Sequence, residues 1–283
     1  DDTVLVRTAD HGDLLGAHGG LHQKWFNLYD EATRVPFVIA RVGQRATPAR
    51  TVTAPTSHVD LVPTLLSAAG IDVAATASAL AGSFSEVHPL PGRDLMPVVD
   101  GAAADEDRAV YLMTRDNMLE GDTGASGIAR MLKLTSKVPA PLRIRVPAHT
   151  AANFEGLVVR VGESTAAGGA DHLWKLVRSF DDPATWTEPG VRHLAADGMG
   201  GPVYRSDPLD DQWELYDLSD DPIEARNRWD DPALHHVRAF VRTALKQARA
   251  ESIPERNHPW PYASRRPPKP TGWITVLRGL LAR

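Results

Sequence analysis

Thr8-Ala-Asp-His-Gly-Asp-Leu-Leu-Gly-Ala-His-Gly-Gly-Leu-His-Gln-Lys24 follows directly on the apolar run Val4-Leu-Val6. A strand that ends in an Asp-His pair and opens into a glycine-rich loop presents ligands at a sheet edge. A carboxylate and an imidazole are hard to borderline metal ligands. Gly12, Gly16, Gly19 and Gly20 let the backbone bend sharply and approach a bound group closely. Lys24 adds a positive charge fourteen positions after Asp10. Together these residues suggest a metal and an oxyanion held side by side. An isolated Asp-His pair reads more simply as a turn cap, but the glycines and Lys24 in register favour ligands.

Around this stretch the chain reads as α/β. Val4 to Ala9 is expected as a fully buried strand. Trp25 to Thr33 is expected as a short helical turn, and Pro36-Phe-Val-Ile-Ala40 as a second strand rich in β-branched and aromatic residues. Leu61, Leu65, Leu66 and Ala69 form a helical stripe with Asp60 as N-cap, Pro63 in the first turn and Gly70 at C′. Ile71 to Val87, rich in Ala and Ser, reads as a surface excursion. Beyond Gly101, Val110-Tyr-Leu-Met113, Leu157 to Val161, Leu173 to Arg178 and Trp213 to Leu218 read as strands, the last three alternating as half-buried antiparallel strands do. Asp231 and Pro232 open an amphipathic helix with an apolar face of Leu234, Val237, Phe240, Val241 and Leu245. Pro259 to Pro270 reads as an extended strap, and Trp273 to Leu281 as a short amphipathic end.

The chain has 283 residues, 42% hydrophobic and 24% charged, a formal net charge of -5 and no cysteine. Such a charge gives no general reason to expect a nucleic-acid partner. The absence of cysteine excludes disulfides, thiolate metal sites and a cysteine nucleophile within these residues. It leans the compartment towards the cytoplasm without assigning one. No apolar run is long enough to span a bilayer. Oligomeric state is not encoded in any pattern found.

Three stretches in the same order resemble the sulfatase family of the alkaline-phosphatase superfamily. The first is Thr8 to Lys24 with Glu31-Ala-Thr-Arg-Val-Pro-Phe-Val-Ile39 behind it. The second is His58-Val-Asp-Leu-Val-Pro-Thr-Leu-Leu66. The third is Trp213-Glu-Leu-Tyr-Asp-Leu-Ser-Asp-Asp-Pro-Ile-Glu-Ala-Arg-Asn227. The resemblance implies part of an alkaline-phosphatase-like, mainly parallel sheet with helices. A smaller α+β C-terminal subdomain with an antiparallel sheet and one long helix is expected to follow. Residues 1–101 are expected to belong to the catalytic α/β domain, 102–253 to the subdomain and 254–283 to a Pro-rich tail.

It further implies a sulfuric ester hydrolase acting on a small-molecule sulfate ester with one divalent metal ion. Asp10 and His11 fall at the metal positions and Lys24 at a sulfate-binding, catalytic one. Many sulfatases carry Asn where this chain has His11, a form more like the choline-sulfatase and phosphonate-monoesterase types. The metal stays open between calcium, named first, and manganese or magnesium. His22 and His18 are candidates to reach substrate or donate a proton; His18 is balanced against a structural hydrogen bond. Asp13 reads first as a loop brace and second as a partner for the His11 ring. Arg34, His58 and Asp60 read as structural.

The family's Cys/Ser-x-Pro-x-Arg motif, the source of its formylglycine nucleophile, is absent. The resemblance therefore implies a C-terminal portion whose missing N-terminal half is its partner. That half would carry the formylglycine and two further metal-binding carboxylates, and the isolated chain would be inactive. Two alternatives stand beside this: a phosphonate monoester or phosphodiester hydrolase on the same scaffold, or an inactive fragment if the chain is complete.

Overall fold

A computed structural model describes residues 3–24, 27–43, 46–84, 87–115, 151, 153–162, 171–186, 188–198 and 201–253. The readings placed on Trp25, on the strap after Pro259 and on the amphipathic end at Trp273 fall outside them. The architecture is mixed α/β. Strand β1 (Thr3–Arg7) leads into the loop quoted above, then a single turn α1 (Asp30–Thr33) and strand β2 (Val38–Val42). Helices α2 (Leu61–Ala68), α3 (Val73–Ala81) and α4 (Met96–Val99) follow. Strands β3 (Val110–Arg115), β4 (Asn153–Val161), β5 (His172–Phe180), β6 (His193–Gly198), β7 (Gly201–Arg205) and β8 (Gln212–Asp217) precede the long helix α5 (His235–Ser252).

The main sheet has the order β3-β4-β5-β8, with all neighbours antiparallel. Its period-2 pattern sends side chains to two different partners. Leu157, Val159 and Val161 of β4, Trp174 and Leu176 of β5 and Leu215 of β8 pack against Val237, Val241, Leu245 and Ala248 of α5. Those four helix residues lie three or four apart and so share a face. Leu157, Leu176, Leu215 and Val241 are fully buried, each stabilising by about 1.5–3 kcal/mol. Phe240, expected on this face, is 36% exposed.

The opposite face meets the N-terminal part. Phe154 and Val177 pack with Leu28 and Leu112. Gly156 makes that approach possible, because a Cβ there would meet the Leu28 Cδ1 at 2.9 Å.

β1 and β2 pair antiparallel, Leu5 opposite Ala40. They form a two-stranded ribbon in which Leu5, Val38 and Val42 are about half exposed. The expectation of a fully buried β1 is corrected here: among the described residues no third strand joins the ribbon. The strand pair formed within the expected parallel sheet is itself antiparallel.

Gly70 ends α2 in the left-handed conformation (φ 71°), and the Ile71 N–H closes onto the Leu66 carbonyl at 2.9 Å. Asp60 stands just before α2, but its side chain makes no cap hydrogen bond to that helix; it turns back instead to the Ser57 turn and to Arg108. Its buried carboxylate takes two hydrogen bonds from Arg108 (2.6 and 2.7 Å), one from the Arg93 N–H and one from the Ser57 N–H. The stretch read as a surface excursion contains α3, capped by the Asp72 side chain on the Ala75 N–H at 3.0 Å. Its Ala/Ser composition has little amphipathic contrast, so periodicity did not reveal it. The β6–β7 hairpin was likewise unread.

Candidate metal and anion site

The site is built on the backbone between β1 and α1. The Gly12 N–H donates to the Ala32 carbonyl at 2.9 Å, which fastens the strand end to α1. A side chain at Gly12 would overlap the Glu31 carbonyl, so only glycine fits this approach. Leu14 is buried beneath the loop. The Asp13 Oδ1 accepts the Leu15 N–H at 2.9 Å and the Gln23 N–H at 3.1 Å. Asp13 thus draws the outgoing and returning limbs together, as a brace. Lys24 follows immediately on Gln23, near enough to Asp10 for its charge to act on that carboxylate. The His11 backbone N–H, the His11 ring and, more weakly, Lys24 hold the Asp10 carboxyl below its usual range.

His11 has an unusual arrangement. Its Nδ1 lies 2.8 Å from the Gly12 carbonyl, which can only accept, so Nδ1 carries the proton. Its Nε2 then faces the Asp10 Oδ2 at 3.2 Å. In neutral His11 these are two acceptors pointing at each other, which is stable only with a cation or a proton between them. Two ligands on adjacent vertices of a cation with bonds near 2.2 Å sit about 3.1 Å apart. The donor set therefore fits a divalent ion. The Gly12 carbonyl, rather than Asp13, fixes the tautomer from behind. Both side chains reach solvent, Asp10 at 85% and His11 at 39% exposure.

The other sequence candidates separate. His18, at φ 50°, stacks on Tyr29 with centroids 3.6 Å apart, and its Nε2 lies 3.1 Å from the Glu31 Oε2. That is the loop-bracing alternative. His22 is exposed on the returning limb. One neighbour was not read as part of this region: His58 Nε2 is 3.1 Å from the Thr8 Oγ1, two residues before Asp10. It also lines a cavity of about 880 Å³ bounded by residues 33–37, 51–58 and the sheet. The signal was present, since His58 opens the second resembling stretch.

A second His/Asp grouping, His172 with Asp217 and Asp220, lies where β5 begins and β8 ends. His172 Nδ1 is 2.7 Å from the Asp217 Oδ2, and the other Asp217 oxygen accepts the Ser219 N–H at 3.1 Å. Hydrogen bonding within a tight turn accounts for it.

Residues 1–71, which hold this whole loop, match the family model described as Sulfatase. These residues are similar to the sulfatase family. The chain is 40% identical over 73 residues to an uncharacterized sulfatase, YidJ, of Escherichia coli K12, covering 25% of this chain and 14% of that protein. It is also 38% identical over 109 residues to a choline-sulfatase of Rhizobium meliloti, covering 38% of this chain and 18% of that protein. The chain thus spans less than a fifth of the length of these curated relatives. Among solved structures, a phosphonate monoester hydrolase of Agrobacterium radiobacter aligns with 89% of this chain and 36% of its own, at 22% identity and a TM-score of 0.47. The similarity to this family suggests a divalent metal. Among the described residues, no single helix is long and apolar enough to cross a membrane.

Proposed function

We propose that this chain contributes one wall of a metal-assisted sulfuric ester hydrolase. The observation that carries the reading is the convergence of the Asp10 Oδ2 and His11 Nε2 at 3.2 Å, with Nδ1 tied back to a carbonyl. Asp10 supplies an anionic oxygen and His11 a ring nitrogen to the ion. Calcium is named first for this oxygen-rich family role; the imidazole nitrogen keeps manganese and magnesium in contention. When bound, such an ion polarises the ester oxygens and lowers the pKa of groups on it. Lys24 provides a compact positive charge where negative charge develops on the sulfuryl or leaving oxygen. His22 stands two residues away as a proton donor to that oxygen. A formylglycine nucleophile and the remaining metal ligands come from outside these residues, and the substrate is a small sulfate ester. Residues 1–101 act as the catalytic part and 102–253 as a supporting subdomain.

His11 gives a specific reason to keep a second reading, hydrolysis of a phosphonate monoester or phosphodiester. Sulfate and phosphate esters share a tetrahedral centre, and this wall does not separate them.

The test uses the full-length protein. Asp10→Ala is expected to weaken uptake of calcium or manganese at least ten-fold in a calorimetric titration. Lys24→Ala is expected to leave metal uptake intact and lower kcat/KM on an aryl sulfate by about 10²–10³-fold. Faster turnover of an aryl phosphonate would select the second reading. Metal affinity indifferent to Asp10 would remove both.

A further inference from the structure

The loop that carries Asp10, His11 and Lys24 hangs on α1, and α1 itself hangs on a buried lysine of the main sheet. Lys175 of β5 has no exposed surface. Its Nζ lies 2.7 Å from the Asp30 Oδ1 and 2.9 Å from the Glu224 Oε1. The Glu224 Oε2 accepts the Asp30 N–H at 2.5 Å. Asp30 is thus held through its side chain and its backbone, at the first position of α1. Two residues on, the Ala32 carbonyl takes the Gly12 N–H, and the Glu31 carboxylate meets His18.

Glu224 is itself in a demanding position. It sits at φ 52° in a turn closed by its own N–H on the Asp221 carbonyl at 3.0 Å. A glutamate in the left-handed region costs backbone energy, which its surroundings must offset. Lys175 and the Asp30 N–H are those surroundings. Asn227 clips the same turn to β8, its Oδ1 accepting the Leu215 N–H at 3.0 Å and the Trp229 N–H at 2.9 Å.

We propose that Lys175, gripping Asp30 and Glu224 together, is a positioning residue that sets the height of α1 and so of the Asp10–His11 pair. This rests on the metal-binding reading given above. The path is short and rigid: β5, Lys175, Asp30, the single turn of α1, the Ala32 carbonyl, Gly12, His11. A partner bonded directly to a metal ligand, as the Gly12 carbonyl is to His11, is worth about 10–100-fold in metal affinity, and Lys175 acts through the turn that places Gly12.

The test titrates the full-length protein with calcium or manganese alone, at a temperature where circular dichroism shows each variant folded. Lys175→Met is expected to bind metal at least ten-fold more weakly and to speed amide exchange at Gly12. Val241→Ala is the control: it thins the packing on the helix-facing side of the same sheet without touching this path. It is expected to lower Tm and leave metal affinity and Gly12 exchange unchanged. If both variants weaken binding equally, the effect is general loosening and the inference falls. A folded Lys175→Met that binds as tightly as wild type also overturns it. Should Lys175→Met not fold, Glu224→Gln is judged by the same comparison, with about three-fold weakening expected. A wild-type protein that takes up no metal overturns the proposed function instead, a result distinct from any of these.

Discussion

The ribbon-and-loop part up to Val42 and the sheet-and-helix part from Val110 to Ser252 use their apolar side chains in opposite ways. In the second, Leu157, Leu176, Leu215 and Val241 are sealed between β4, β5, β8 and α5. In the first, Leu5, Val38 and Val42 stay about half exposed on a two-stranded ribbon. Yet the ribbon part carries Asp10, His11 and Lys24. The part to which the metal and anion roles are assigned is held, among the described residues, by contacts with the main sheet and the turn after β8. Leu28 seats on Gly156 of the sheet, and Asp30 is gripped by Lys175 and Glu224. The next segment is fixed in the same manner, with the Asp60 carboxylate clasped by Arg108 just ahead of β3. Buried ion pairs add to the small apolar cluster around Leu28 where the ribbon and its neighbours dock.

The sharpest way to break this contrast is to remove a docking ion pair. Asp60→Asn leaves the Arg108 guanidinium buried without its counter-charge, a defect of about 3–5 kcal/mol in urea unfolding. Its pH signature follows from the carboxyl's environment. Burial pushes the Asp60 carboxyl up, but Arg108 and the Arg93 and Ser57 N–H groups outweigh it and hold the group below its ordinary range. A carboxyl depressed in the folded state stabilises fully above its unfolded pKa, near 3.9, and loses that contribution as pH falls through the lower folded value. Wild type should therefore lose stability steeply below about pH 4, and Asp60→Asn should show a shallower acid limb. Equal acid limbs would mean that this pair does not hold the segment.

The next test is apolar. Leu215→Ala, at a fully buried site, should cost about 2–5 kcal/mol. The same truncation at Leu5, half exposed, should cost under about 1 kcal/mol in the same chain. A loss at Leu5 as large as that at Leu215 would show that the ribbon is covered, and the contrast would dissolve.

The smallest effect probes local geometry. Gly70 closes α2 in the left-handed region with open space around it, so Gly70→Ala meets backbone strain but no clash. It should cost about 1 kcal/mol, read from the shift in urea midpoint.

Much of this was legible in the residues. The alternation in Leu157 to Val161 and the three-and-four spacing from Val237 to Leu245 each have a single burial solution, so strand and helix followed directly. Gly70 and Pro63 were readable because each permits few backbone conformations. The pairing of Asp10 with His11 was readable because both stand at one strand end; their side chains lie 3.2 Å apart. The half-exposed state of β1 was not, because an apolar run reads alike whether or not a neighbour covers it. Helix α3 was not, because alanines and serines carry no face.

By itself the sequence determined the likeness to the sulfatase family, the Asp-His strand end with its glycine-rich loop and the helix-on-sheet core, all of which depend on local spacing or period. Only the tertiary structure decided what those features lean on. Lys175 read as one polar position in an alternating strand, and Glu224 as one residue of a turn signature. Their meeting with Asp30 joins positions 30, 175 and 224, and no local pattern specifies a contact at that separation. The tautomer of His11 was decided in the same way, because the carbonyl behind its ring and the carboxylate before it are fixed by backbone geometry rather than by residue type.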